Sequence, residues 1–458
     1  MMNNKLFTWS KPSLLKVARH PVFIIGIVML LFVLIITFFP DYIINTFFKT
    51  RITKAITEVC SADSVHLGRL HYNVWRNRVG CDSISLKTND YTFSAAPLSL
   101  NGFGLLKIIR QSNFTPNTIA NSEIDAKGII LYFNQSQQEL RFGLLHISVP
   151  DSELVIDSIK YSPLSNDDKF FSKSRFRQTS YRIQIPQIQI HGMDCLAFLQ
   201  SDNIIARKIE INEVSADILV NMDKPYDKSS QKPKMPNEIL ATMKQVIKID
   251  SLKITNGKLK YCERFIIGTK PGIILINDIN ISAGRIANHT SRSDTTIILG
   301  DGLFMNTGKM KLFMSIPLES KDFSLRYSGS LSSMDVTELN SFIEPSENQR
   351  INSGFLKSAR FNINVNAGDA SGNLLLEYNN LDISFIDKNT GSEKGIFNQI
   401  SSLFGKIFVI RKANTSDDKG LMKVGLTKYM RNPDDYFFQY VWFALRNGIA
   451  DVVGFPPK

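Results

Sequence analysis

The residue types that most often do chemistry are thinly spread in this chain. Six histidines occur in 458 residues, and only His66 and His71 are near neighbours. A spacing of five puts that pair on neither one helix face nor one strand face, so it makes a poor metal-ligand set. Four cysteines, Cys60, Cys81, Cys195 and Cys262, form no C-x-x-C pair. Four thiols allow three disulfide pairings, and spacing neither chooses among them nor excludes free thiols. Adjacent carboxylates at Asp167-Asp168 and Asp417-Asp418 lie in polar stretches where solvation accounts for them. The phosphate-cradling G-x-x-x-x-G-K-[ST], the zinc-binding H-E-x-x-H and the nucleophile elbow G-x-S-x-G are missing. Asn101-Gly102-Phe103-Gly104 contains G-x-G, but without a third glycine it reads as a turn. The expectation is a non-enzyme with no cofactor and no metal site.

Without reactive groups, function has to come from surfaces and from the elements that carry them. The first such element is Val22 to Phe39, VFIIGIVMLLFVLIITFF, which has no charge and one hydroxyl, Thr37. At ~1.5 Å per residue it makes a helix of about 27 Å, close to the thickness of a bilayer core. A cleaved signal has a core of only ~7–15 residues and small residues at its cut site. Here Phe39-Pro40-Asp41 follows instead. The run is expected to be a retained membrane anchor, because a buried core helix would keep a polar side somewhere.

Residues 1–21 form a basic tail with Lys5, Lys11, Lys16 and Arg19, against Lys49, Arg51 and Lys54 past the anchor. That difference is slight on the positive-inside rule. The early anchor and the long chain behind it place the N-terminus in the cytoplasm and the bulk outside. Residues 40–64 extend the helix, with Ile43, Ile44, Phe47, Phe48, Ile52, Ala55 and Ile56 at helical spacing. A net charge of +12 and a pI near 9.3 suit anionic head groups, and a plain solvated surface explains them equally. Scattered basic residues on an exported chain argue against nucleic acid.

From Val65 onward the pattern has period two. Phe361-Asn362-Ile363-Asn364-Val365-Asn366 alternates strictly, and Ile209-Glu210-Ile211, Ile279-Asn280-Ile281 and Leu381-Asp382-Ile383-Ser384-Phe385 repeat the theme. Such alternation turns apolar side chains to one sheet face and polar ones to the other. Asn101-Gly102, Asn256-Gly257 and Asp301-Gly302 are turn signals. Three stretches share an apolar-Asp-Ser-apolar core, at Cys81–Ile84, Ile156–Ile159 and Ile249–Leu252. Helices are expected at 237–248 and at 434–451, the second capped by Asp434 and burying Phe437, Tyr440, Val441, Ala444 and Leu445. The predicted fold is mainly β: one N-terminal transmembrane helix, then a long curled antiparallel sheet, groove-like, with a few short helices.

An apolar sheet face needs a cover. One solution is a sandwich in which two sheets fill each other, and on pattern alone that is the first choice. The other is a trough whose apolar face holds lipid, since each buried CH₂ contributes ~0.8 kcal/mol wherever it lies. In the trough, the candidate lipid-facing residues are Phe323, Leu325, Tyr327, Phe361, Ile363, Val365, Leu381, Ile383 and Phe385.

The stretch Leu331 to Phe385 carries Met334-Asp335 with Leu339-Asn340, Ile351-Asn352-Ser353-Gly354, Gly368-Asp369-Ala370-Ser371-Gly372 and Glu377-Tyr378-Asn379-Asn380-Leu381-Asp382-Ile383. With Phe408-Val409-Ile410-Arg411 and Tyr436-Phe437-Phe438-Gln439-Tyr440-Val441-Trp442, it resembles the AsmA-like family of envelope proteins, which includes the TamB type. The match covers about 120 residues; elsewhere it is architectural. The resemblance implies an inner-membrane protein with a periplasmic β-groove over 65–330 and an AsmA-like region over 331–458 ending in a helix. It implies phospholipid or another acyl lipid as ligand, in lipid transport or outer-membrane biogenesis, with other envelope proteins or a second copy as possible company. The competing expectation is an anchored scaffold with a filled sandwich and no ligand. About twenty strands at ~4.8 Å would make a trough of roughly 100 Å, short for a whole periplasm.

Overall fold

The computed structural model describes residues 21–102, 120–229, 232–266, 268–288, 294–318, 322–386, 393–394, 410–416 and 421–454. The basic tail, Asp417-Asp418 and Phe408-Val409 lie outside them. Helix α1, Pro21–Ile43, passes through a π turn, Ile44–Phe48, into α2, Lys49–Cys60. The stretch Ile25–Glu58 is long and apolar enough to cross a membrane, and it is the one such helix among the described residues. Every residue from Ile25 to Ile35 is exposed, as a lipid-facing helix requires.

All twenty-two strands belong to one sheet, arranged as sixteen hydrogen-bonded rows. Rows one to three are broken strands: Ser64–Leu67 with Leu70–Asn73, Ile84–Lys87 with Arg78–Cys81, and Tyr91–Ala95 with Leu98–Asn101. Rows four to seven are Glu123–Phe133, Gln138–Ser148, Glu153–Pro163 and Thr179–His191. Row eight is Ile204–Asn212 with Ser215–Asn221. Rows nine to twelve are Ile247–Arg264, Gly272–Ala287, Thr295–Phe304 and Gly308–Pro317. Row thirteen is Leu325–Leu331 with Met334–Asp335, then come Gln349–Asn366 and Asp369–Ile386. The last row is Val424–Met430, with Glu393–Lys394 beside it. The sheet runs through residue 330 without a break, because Leu325–Leu331 pairs on both sides.

Neighbouring rows pair antiparallel except at one junction. Row eight pairs parallel with row nine, from Ile204↔Ile247 to Asn221↔Arg264. A parallel pair needs a crossover, and the connection between Asn221 and Ile247 carries the short helix α5, Pro236–Thr242. The other short helices are α3, Asp167–Ser172, α4, Cys195–Ser201, and α6, Asn340–Glu347; α5 is Pro236–Thr242 and the last helix, α7, is Phe437–Val453.

Three local expectations are corrected. The helix expected to reach 248 stops at Thr242, because Ile247 already pairs with Ile204 and donates its N–H to Asn288 Oδ1 at 2.7 Å. Helix α7 starts at Phe437 without a side-chain cap. Its expected neighbourhood of carboxylates serves a turn instead, where Asp435 accepts from the Tyr429 hydroxyl and the Asn432 N–H, both at 2.8 Å. Asn256-Gly257 and Asp301-Gly302 are not hairpin turns. Asn256 has a positive φ of 54° inside row nine, where the register shifts, and Asp301-Gly302 pairs straight across to Lys311 and Met310. Long strands that must curl take bulges, and a bulge uses the same small residues as a turn.

At each edge of the sheet two helix side chains bond the backbone of the edge strand. At the first row, Asn45 accepts the Leu70 N–H at 3.0 Å and donates to the Leu70 carbonyl at 2.6 Å, while Asp41 accepts the Tyr72 N–H at 2.7 Å. At the last row, Asp451 accepts the Leu426 N–H at 2.9 Å and Asn447 donates to the Lys428 carbonyl at 2.8 Å. In each helix the Asp and the Asn stand four residues apart, one turn, and so reach alternate residues of the edge strand. These backbone groups would otherwise invite a foreign strand.

Candidate functional site

The register aligns apolar side chains from one end of the sheet to the other. Directly paired residues share a face. One line of such pairs starts at Tyr72 and runs through Val79, Leu100, Ile124, Ile147 and Leu154. It continues through Ile190, Ile209, Leu252, Ala283 and Ile298 to Met314, Tyr327 and Ile363, and ends at Gly372 and Thr427. A second line, two residues away, starts at Leu70, Cys81, Leu98, Ala126, Leu145 and Ile156. It passes Ile188, Ile211, Ile254 and Ile281, then Gly300, Leu312, Gly329 and Phe361, and ends at Leu374 and Gly425. No charged residue interrupts either line.

The line between them, of opposite parity, is mostly polar: His71, Ser99, Asp125, His146, Gln189, Glu210 and Lys253 lead it, broken by Val155, Leu299, Phe313 and, in the last row, Leu426. On this face His146 pairs with Asp125 at 2.7 Å and His191 with Glu153 at 3.0 Å. Among the described residues no cluster could hold a metal ion, and all four cysteines are free thiols.

Helices cover the apolar face unevenly. In rows one to eight, α4 brings Met193, Cys195 and Phe198 onto Ile147 and Leu154. Most other line residues there are only half-buried: Val79 and Leu100 lie outside the core clusters, while Ile124 and Ile156 flank the α4 cluster and Ile188 flanks one reached by Leu240 of α5. In the last rows α7 lies directly on the sheet. Gly425 and Gly448 permit this, since a Cβ on Gly425 would run into the Gly448 carbonyl. Tyr440 and Ala444 of α7, with Met235 beside α5, close over Tyr327, Ile363 and Ala370. Val452 and Val453 join Tyr378, Leu381 and Ile383 at the other end of these strands. Between the two regimes an open depression of about 960 Å³ is lined by residues of both parities, Ile254, Ile281, Leu312 and Phe361 of the second line and Lys253, Leu299 and Phe313 of the polar one.

The nine residues singled out from sequence therefore fall into two groups. Phe323, Leu325, Tyr327, Ile363 and Val365 are buried under α7 and the α5 strap, and Leu381 and Ile383 are buried in the adjacent cluster. Phe361 and Phe385 are half-buried, and Phe361 reaches the depression. The apolar surface left open lies elsewhere, in rows one to eight and in the middle of the second line. Alternation alone missed it because short strands such as Leu70–Asn73 alternate over too few residues to stand out.

A clasp holds the cover in place. Arg431 donates to both Glu238 oxygens, at 2.6 and 3.2 Å, and to the Pro233 carbonyl at 2.9 Å, across 193 residues of sequence in the case of Glu238. Burial works against the Glu238 charge, but the bonds from Arg431 and the Met235 N–H prevail and hold its pKa below the ordinary value. At the other end His71 sits between two carboxylates, with Nδ1 3.0 Å from Asp41 Oδ2 and Nε2 2.9 Å from Asp82 Oδ1. The bond to Asp41 is the main reason its pKa is raised; partial burial opposes it and Asp82 adds to it.

No family model matches the chain, and no curated protein matches it. What stands on structure is a protein with a helix fit to anchor it in a membrane and a large sheet whose architecture could form a groove.

Proposed function

We propose that this protein shelters the acyl chains of phospholipid or another acyl lipid on its apolar sheet face, as an inner-membrane-anchored periplasmic protein of the AsmA-like type. The observation that carries this reading is the pair of apolar lines that crosses all sixteen rows while most of the first eight stay uncovered. An acyl chain asks for burial at ~0.8 kcal/mol per CH₂ and for no fixed polar contact, which is what these lines offer. The lines begin where the anchor helix meets the first row, at Leu70 and Tyr72, which sets their start close to the bilayer. Fifteen spacings of ~4.8 Å give a path of about 70 Å. Hand-over to another envelope protein, in phospholipid transport or outer-membrane biogenesis, fits that reach.

The test is extraction of the full chain in mild detergent followed by lipid mass spectrometry. Phospholipid retained in stoichiometric amount, and lost on Ile124→Glu, supports the reading; a folded protein that carries none sinks it. The second reading, an anchored envelope scaffold without ligand, draws on the seven candidate residues sealed in the C-terminal core. It predicts that no lipid is retained and that Ile124→Glu changes nothing.

A further inference from the structure

The geometry points to a second membrane contact: we propose that the turn between rows one and two, 73–77, seats in the head-group region of the bilayer that holds α1. Such a contact depends on the anchor and not on lipid transport.

Two contacts set the direction of the first strand. Asn45 bonds Leu70, and Asp41, one helical turn nearer the apolar segment, bonds Tyr72. The strand therefore runs antiparallel beside the helix, advancing about 6–7 Å toward the membrane for every two residues. Two residues beyond Tyr72 the chain reaches Val74 and Trp75, level with the end of the apolar run. Both are exposed, Trp75 at 67%. On the helix at this height Phe39 and Tyr42 are also exposed, and their rings stack at 6.1 Å. Two arginines frame the turn, Arg76 and Arg78, both exposed; Arg78 also donates to Ser99 Oγ at 2.8 Å. An apolar tip with an indole, beside helix aromatics and flanked by guanidinium groups, is what the water–lipid boundary selects. The arginines suit lipid phosphates, and the tip needs no protein partner. Such a contact would fix the first row, and with it the start of both apolar lines, at the membrane surface.

The chain has three tryptophans, Trp9, Trp75 and Trp442. In the full-length protein carrying Trp9→Phe and Trp442→Phe, Trp75 is the sole indole. Reconstituted in vesicles of phosphatidylethanolamine and phosphatidylglycerol, it should lose about half its emission to phospholipid brominated near the head-group end of the chain, and less to deep bromine. A companion chain keeping only Trp442 should lose almost none. Arg76→Glu should weaken the quenching of Trp75. Trp75 emission as indifferent to shallow bromine as that of Trp442 overturns the proposal, and it is also the result expected if a protein partner covers the turn. Lipid retention by the sheet is measured separately, so failure here leaves the acyl-chain reading standing, and the reverse holds.

Discussion

Rows one to eight and rows nine to sixteen are built on the same pattern and end in different states. Each half carries both apolar lines in register. In the second half α6, α7 and the α5 strap close most of the face, and two core clusters gather there around Tyr327, Tyr440, Leu381 and Val452. In the first half the clusters are smaller, with α4 on the one around Ile147 and Leu154 and Leu240 of α5 on the one around Ala206 and Ile209. Patterning makes a face apolar; what decides between core and binding surface is whether the chain supplies its own cover.

The largest expected effect comes from placing a charge on each half in turn. Ile363 is fully buried beneath α7, so Ile363→Glu buries an unpaired carboxylate at a cost of several kcal/mol and should abolish the cooperative melt of the second half. Ile124 is half-buried, so Ile124→Glu should leave the melt within about 1 kcal/mol of wild type while lipid retention is lost. Equal destabilisation at the two sites would erase the distinction between the halves.

Next in size is the clasp. Glu238→Gln leaves the Arg431 guanidinium, itself largely buried, with a weaker partner, and should cost about 1–3 kcal/mol in thermal melts. Because the folded pKa of Glu238 is depressed, its contribution is complete above the unfolded carboxylate pKa and is lost as pH falls through the folded value. Cover stability should therefore drop in acid in the wild type, and the drop should shrink in Glu238→Gln. A pH response identical in the two proteins would remove the clasp from the account.

The smallest effect lies at the anchor joint. Both His71 nitrogens face carboxylates, an arrangement that needs the imidazolium, which alone donates from both. Its folded pKa is raised above the ordinary 6.5, so the joint is fully stabilised below that value and loosens as pH rises through the folded pKa. Hydrogen exchange at the Leu70 and Tyr72 amides should quicken across that window beyond the intrinsic pH dependence, and His71→Ala should abolish the excess. The joint is partly exposed, so the change is modest.

Much of this architecture can be read from the residues, and the unreadable part has a clear cause. Val22–Phe39 declares the anchor because a bilayer demands eighteen or so consecutive apolar residues. Phe361–Asn366 declares a strand because alternation is local. The period of α7 is equally local, so Tyr440 and Ala444 fall on its buried side as expected. Pairing register is not local. Nothing in the neighbourhood of Ile188 tells that it faces Ile156 on one side and Ile211 on the other, yet that register is what draws the continuous lines. Cover is less local still: Leu325 and Ile188 look alike in sequence, and only the first has a helix from residue 440 lying over it. The parallel junction at Ile204↔Ile247 was hidden for the same reason, and Asn256-Gly257 misled because bulge and turn draw on one vocabulary.

The central claim is that one face of the first eight rows meets acyl chains and the other meets water. A photo-crosslinking residue placed at Ile124, Ile156 or Ile188, and at the adjacent Asp125, Asp157 or Gln189, tests it in native membranes. The account predicts lipid adducts from the first set and none from the second. Adducts from both sets alike, or from neither, would contradict it.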